Sequence, residues 1–192
     1  MKFDKAKDPA ACAAKVSTRY AVHGVAVVRK DDATFLASTD GRALAMVRAY
    51  PEDGDDAPAS SSDAVYPCPA FTAARKACKR KAEASLVLNG SAVVATDEGT
   101  RTEFAKIPER FPDVLGVLPK AKPVHVLRLN ADFLARLQKG FGANAVAIEV
   151  HALDDKGQLA HDLPLTIRPL YMDGPGTDDG SFGVLMPIME GS

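Results

Sequence analysis

One order of elements recurs three times along this chain: a helix-like segment, a hairpin and a further strand, centred on residues 1–50, 64–107 and 124–190. A unit that small cannot bury both faces of its own sheet, so the recurrence predicts a repeat architecture whose units lean on one another. Each unit opens with helix-start signals. In the first, Asp8 stands as N-cap and Pro9 at the first helical position, followed by residues 10–20 with Cys12 and Val16 on one face and Lys15 and Arg19 on another. The second helix is expected from Pro69 to about residue 84, with Phe71, Ala74, Cys78 and Ala82 on one side and Arg75, Lys76, Lys79 and Arg80 on another. In the third, Asn130 is the N-cap, Phe133, Leu134 and Leu137 form the buried face, Arg136 and Lys139 lie outside, and Gly140 is the stop.

Alternating, β-branched stretches separated by tight-turn residues fill the rest of each unit. Residues 20–29 and 34–38 flank a turn at 30–32, and residues 85–88 and 92–95 flank Asn89-Gly90, the strongest hairpin signal in the chain. A turn at Asp97-Glu98-Gly99 leads into residues 100–107, and 145–152 turns through 154–157 into 163–168. Segment 51–63, acidic and carrying Ser60-Ser61-Ser62, reads as a solvated loop, and 116–123, with Pro119 and Pro123, as a stiff connector. The units therefore divide at 1–50, 64–112 and 124–192, an α+β fold of about three half-domains.

Composition removes several functions. With 46% hydrophobic residues a buried core is feasible, yet the longest apolar runs, at 21–28 and 184–188, fall far short of the roughly 18 residues of a membrane-spanning helix. The start, Met1-Lys2-Phe3-Asp4-Lys5, has no apolar signal core, which leads to the expectation of a cytoplasmic protein without a membrane. Cys12, Cys68 and Cys78 are odd in number and lack a C-x-x-C pairing, so they are expected to be reduced, inert thiols.

No catalytic constellation is present in the pattern. Gly140-Phe141-Gly142 lacks the Gly, Lys and Ser/Thr of a phosphate loop, and His23, His125, His151 and His161 stand singly without the spacing of metal ligands. The serine run has no His or glycine elbow near it, and the acid cluster at 52–56 lacks calcium-loop spacing. No metal and no cofactor is expected, and a binding function is favoured over an enzyme with an unrecognised site.

Charge is distributed unevenly. The three expected helices hold nine basic residues (Lys15, Arg19, Arg75, Lys76, Lys79, Arg80, Lys81, Arg136, Lys139) against two acidic ones (Glu83, Asp132), while the whole chain carries −1. Basic helices on an otherwise acidic protein present one positive surface and repel polyanions elsewhere. Solubility of exposed helix faces is the plainer explanation of the same pattern.

Four stretches resemble, in order, the bacterial DNA sliding clamp, the ring-shaped processivity factor of the replicative polymerase. They are Leu36-Ala37-Ser38-Thr39-Asp40-Gly41-Arg42-Ala43-Leu44; residues 67–79 as a Pro-containing helix entry; Arg110-Phe111-Pro112-Asp113 followed by Val117-Leu118-Pro119; and Pro164-Leu165-Thr166-Ile167-Arg168-Pro169 with Val184-Leu185-Met186-Pro187-Ile188. Arg42 and Ala43 stand where that family has His and Arg, and the tail runs on through Met189-Glu190-Gly191-Ser192 where the family ends Arg-Leu. The resemblance implies DNA-clamp-like half-domains, here both halves of the family's middle domain and the second half of its last.

It implies further that Lys15, Arg19, Arg75, Lys76, Lys79, Arg80, Arg136 and Lys139 face duplex DNA. A partner-peptide pocket would be lined by matches to Thr39, Gly41, Leu44, Pro119, Val184, Met186, Pro187 and Ile188. The implied partners are duplex DNA, a DNA polymerase or other proteins with clamp-binding motifs, a clamp loader, and further copies of the chain in a homo-oligomer. The alternative is a clamp-derived peptide-binding adaptor that does not encircle DNA.

Overall fold

The computed structural model describes residues 1–16, 20–52, 55, 64–77, 81–95, 99–119, 129–141, 145–149, 165–170 and 183–185. The chain divides into two compact units, Met1–Leu118 and Pro119–Ser192.

In the first unit, strands β1 (Lys2–Asp4), β2 (Gly24–Lys30), β3 (Ala33–Thr39), β4 (Leu44–Tyr50), β5 (Val65–Pro67) and, after helix α1 (Cys68–Ala77), β6 (Glu83–Ser85) form one antiparallel sheet of order β5-β2-β3-β4-β1-β6. Strands β7 (Val87–Asn89), β8 (Ser91–Ala95) and β9 (Arg101–Ala105) form a second, three-stranded sheet. The hairpin expected at Asn89-Gly90 is present, with Asn89 paired to Ser91.

The first five residues of β2 and the last four of β3 are buried on both faces of the six-stranded sheet, which is why β2 reads as a continuous apolar run, whereas the end of β4 alternates, with Val47 and Ala49 inside and Arg48 and Tyr50 outside. Val25, Val27, Leu36, Val47 and Phe3 pack with Ala70, Phe71 and Ala74 of α1, where the Phe3 and Phe71 rings lie 6.3 Å apart. Ala26, Val28 and Ala37 point the other way, onto Ile107, Phe111 and Val114. Gly24 is where these layers come closest: a Cβ there would lie 2.7 Å from both Ile107 Cδ1 and Val65 Cγ1, so no larger residue fits without displacement.

Three helix expectations are corrected. Residues 8–16 form turns and bends, not a helix. The Asp8 carboxylate does cap, accepting the Ala10 N–H at 3.1 Å, but Ala11 and Ala13 close only single turns onto the Asp8 and Ala10 carbonyls, and the N–H groups of Cys12 and Ala14 find remote partners, Ser38 Oγ (3.2 Å) and the Val22 carbonyl (2.9 Å). Val16, expected on an apolar helix face, is consequently 72% exposed. Helix α1 does not extend to residue 84, because Glu83–Ser85 is drawn into the sheet beside β1, and Ala82 is exposed.

The third correction lies in the second unit, where α2 (Ala131–Phe141) precedes a three-stranded antiparallel sheet of β10 (Ala145–Glu149), β11 (Leu165–Leu170) and β12 (Gly183–Leu185). Asn130 caps α2 as expected, its Oδ1 accepting the N–H of Asp132 at 2.9 Å and of Phe133 at 3.4 Å. Leu134 and Leu137 pack on Leu165 and Ile167, but Phe133, expected in the same buried face, is 46% exposed, and the helix runs through Gly140 to Phe141.

Candidate nucleic-acid and peptide interface

The basic residues singled out in the sequence fall into three groups. Lys15, Lys76, Arg136 and Lys139 are exposed. Arg75 is committed to the fold: its Nη1 pairs with Asp8 Oδ2 at 2.9 Å and its Nε donates to the Lys5 carbonyl at 3.2 Å, fastening the last turn of α1 to the amino-terminal turns. Arg19, Lys79 and Arg80 lie outside the described residues. Because no helix forms over 8–16, Lys15 projects from a bend and not from a helical stripe. On α2, Arg136 lies over the Phe133 ring, 5.3 Å from its centroid.

The turn from β3 to β4 carries the first three residues of the expected peptide pocket, and its order is built from side chains. Asp40 Oδ1 accepts the N–H groups of Arg42 and Ala43, both at 2.8 Å. Those two bonds, that of Ala43 the larger, hold the Asp40 carboxyl below its ordinary value. Thr39 Oγ1 donates to the Ala43 carbonyl at 2.6 Å and accepts the Gly41 N–H at 3.0 Å, so its hydroxyl is used within the turn. Gly41 has φ +89°, a conformation that side-chain-bearing residues rarely adopt. Leu44, paired with Thr39, is half-buried against the cluster around Phe111. Pro119 is exposed in the second unit, where Val184 is 54% exposed on β12. Met186, Pro187 and Ile188 lie outside the described residues.

The Arg110-Phe111-Pro112-Asp113 stretch has a structural job. The Arg110 carbonyl accepts the Ala21 N–H at 3.0 Å, Phe111 is 2% exposed in the second core, and Asp113 Oδ1 accepts the Gly116 N–H at 3.2 Å. The Cys68 thiol donates to the His23 carbonyl at 3.1 Å and burial pushes its pKa up, which suits an inert thiol; Cys12 is also free, and Cys78, His125, His151 and His161 lie outside the described residues.

Two features had no counterpart in the sequence reading. Asp55, placed in a solvated acidic loop, has a buried side chain that accepts the Leu88 N–H at 3.0 Å and the Glu52 N–H at 2.8 Å, closing one backbone donor on the outer edge of β7. A cavity of about 490 Å³ opens on the outward face of the β7–β9 sheet, where Val87, Val93 and Ala95 make an apolar floor beside Arg101. Only the Val87–Val93 pairing at an outward-facing register could have signalled it. Among the described residues no group of His, Cys, Asp or Glu is arranged to hold a metal ion, and no helix is long and apolar enough to cross a membrane.

No protein-family model and no curated protein matches this sequence. Solved structures do. The C. crescentus β sliding clamp matches with a TM-score of 0.65 at 17% identity over 97% of this chain. The DNA polymerase III subunit β of Borrelia burgdorferi, solved in complex with a natural product, matches with a TM-score of 0.65 at 14% identity over 100% of it. The sliding clamp of Bartonella birtlesii, solved bound to griselimycin, matches with a TM-score of 0.58 at 17% identity over 99% of it. The chain spans about half the length of each, 50%, 48% and 51% respectively. At such identities the likeness speaks for architecture alone, and on that footing this chain has the fold of the DNA polymerase III β sliding clamp.

Proposed function

We propose that the chain is a non-enzymatic, sliding-clamp-like processivity factor that holds duplex DNA without regard to sequence and docks clamp-binding peptides of a polymerase or related partner. The observation that carries this reading is the clamp fold over nearly the whole chain. It is supported by the exposure of Lys15 and Lys76 in the first unit and of Arg136 and Lys139 in the second, on a protein whose overall charge is −1, since exposed cations on a near-neutral protein attract phosphates without making the entire surface sticky. Residues 1–50, 64–112 and 124–192 are its three half-domains, and copies of the chain assemble in the cytoplasm, where a loader places them on DNA. The residues assigned to peptide docking in this reading are Thr39, Gly41 and Leu44 and, further along the chain, Pro119, Val184, Met186, Pro187 and Ile188, mostly small or apolar side chains of the kind that receive apolar anchors of an extended segment.

Replacing Lys76, Arg136 and Lys139 together by Glu tests the DNA half of the reading. Exposed positions should tolerate the change, so the variant is expected to melt with the wild type and to lose retention on duplex DNA at low salt. Equal retention by the two proteins would contradict the reading. For the pocket, titration of a Gln-x-x-Leu-Phe peptide should give saturable binding that weakens in Met186→Ala; no binding by the wild type removes the pocket.

A further inference from the structure

We propose that the Phe133–Arg136 pair on α2 is a stacking platform for the unpaired bases of a single-stranded nucleic acid. The inference rests on the nucleic-acid reading above and adds to it the form of strand that this helix prefers. Three observations lead to it. Phe133 is 46% exposed although its helical neighbours Leu134 and Leu137 are packed on the core, so the ring stands at the border of the apolar face. The Arg136 guanidinium lies 5.3 Å from the ring centroid, which orients the ring and places a cation beside it. Arg136 and Lys139 are both exposed and neither forms an ion pair among the described residues.

These features have complementary chemistry in one kind of ligand. A single strand offers bases with free π-faces and a phosphate backbone, and proteins bind it by combining aromatic platforms with a basic track. Phe133, Arg136 and Lys139 follow one another at three-residue steps, each about 4.5 Å along the helix axis and about 60° around it, so Arg136 is the cation beside a base on the ring and Lys139, further round, meets phosphates farther along the strand. A duplex keeps its bases stacked on each other and could use only the two cations. A purely apolar protein partner would use the ring but leave Arg136 and Lys139 unmatched.

The full chain is titrated with a single-stranded oligonucleotide carrying 2-aminopurine and, separately, with a blunt duplex of the same sequence. Phe133→Leu keeps an apolar side chain and removes the aromatic face; Phe133→Trp keeps that face. Phe133→Leu is expected to weaken single-strand binding by about 5- to 150-fold, the range for loss of one base stack, and to abolish the fluorescence change that stacking produces. Duplex binding and the melting temperature should stay at the wild-type values, and Phe133→Trp should retain the single-strand signal. Unchanged single-strand affinity in Phe133→Leu, with the wild type binding nucleic acid, overturns this inference and leaves the duplex reading standing. Loss of self-association by light scattering in Phe133→Leu, with single-strand affinity unaltered, also overturns it and assigns the ring to contact with a second copy. A wild type that binds neither form overturns the nucleic-acid reading itself.

Discussion

Truncating Phe111 separates the structural from the functional content of the Arg110-Phe111-Pro112-Asp113 stretch. The side chain is 2% exposed and packs with Ala26, Val28, Ala37 and Val114, so Phe111→Ala removes the largest ring from the layer covering one face of the six-stranded sheet. A buried aromatic residue covers about 150–250 Å². At about 25 cal/mol per Å² that is about 4–6 kcal/mol, an upper bound because the unfolded chain already buries part of the same surface. Measured Phe-to-Ala losses of about 3–5 kcal/mol in well-packed cores agree. For a chain of this length the melting temperature should fall by about 6–20 °C, read by circular dichroism or calorimetry. Phe133→Ala serves as internal control: with 46% of the residue exposed, it should cost less than about 1 kcal/mol. Comparable losses in the two variants would refute the assignment of Phe111 to the core and of Phe133 to the surface.

Thr39→Val should cost about 1–3 kcal/mol in urea unfolding, because it removes two hydrogen bonds of about 0.5–1.5 kcal/mol each, with the Gly41 N–H and the Ala43 carbonyl, whereas Thr39→Ser should retain most of the stability. The Asp40 carboxyl is depressed by the Ala43 and Arg42 N–H groups, so its contribution is present above the ordinary carboxylate value and is lost as the pH falls through the folded-state value. The stability advantage of the wild type over Asp40→Asn should accordingly be flat near neutrality and shrink below about pH 4, as followed by urea titration at several pH values. A double-mutant cycle on Asp8→Ala and Arg75→Ala should return a coupling of about 0.2–1 kcal/mol, as for partly exposed pairs, and each single change should cost more than that coupling, because Asp8→Ala also vacates the Ala10 N–H and Arg75→Ala the Lys5 carbonyl.

What could be read from the sequence was what depends on near neighbours. Asn130 as cap, the Asn89-Gly90 hairpin and the Asp40-Gly41 turn all rest on bonds spanning a few residues, and each is in place. The first helix failed for the opposite reason. Asp8-Pro9 is a start signal, but the N–H groups of Cys12 and Ala14 are taken by Ser38 and Val22, outside the turn that the signal opens. Strand β1 is only three residues long and has no periodicity to detect; it forms because Phe3 is pinned between Ala49 and Ala84 on the flanking strands. In the candidate site, the clustering of Lys and Arg was visible, but which of them remain free for a ligand was not. Arg75 lies among exposed cations in the sequence and is tied to a carbonyl 70 residues away, while Phe133 follows the apolar period and ends half out in solvent because the sheet beneath α2 covers only Leu134 and Leu137.

The salt dependence of duplex binding tests the sliding-clamp account most directly. If Lys15, Lys76, Arg136 and Lys139 each neutralise one phosphate, a plot of log K against log salt should have a slope of about −3.6, so affinity should fall about 150-fold between 50 and 200 mM salt. Two duplexes of unrelated sequence should give the same line, because phosphate contacts carry no sequence information. Absence of binding at 50 mM salt, or a flat line, would contradict the account.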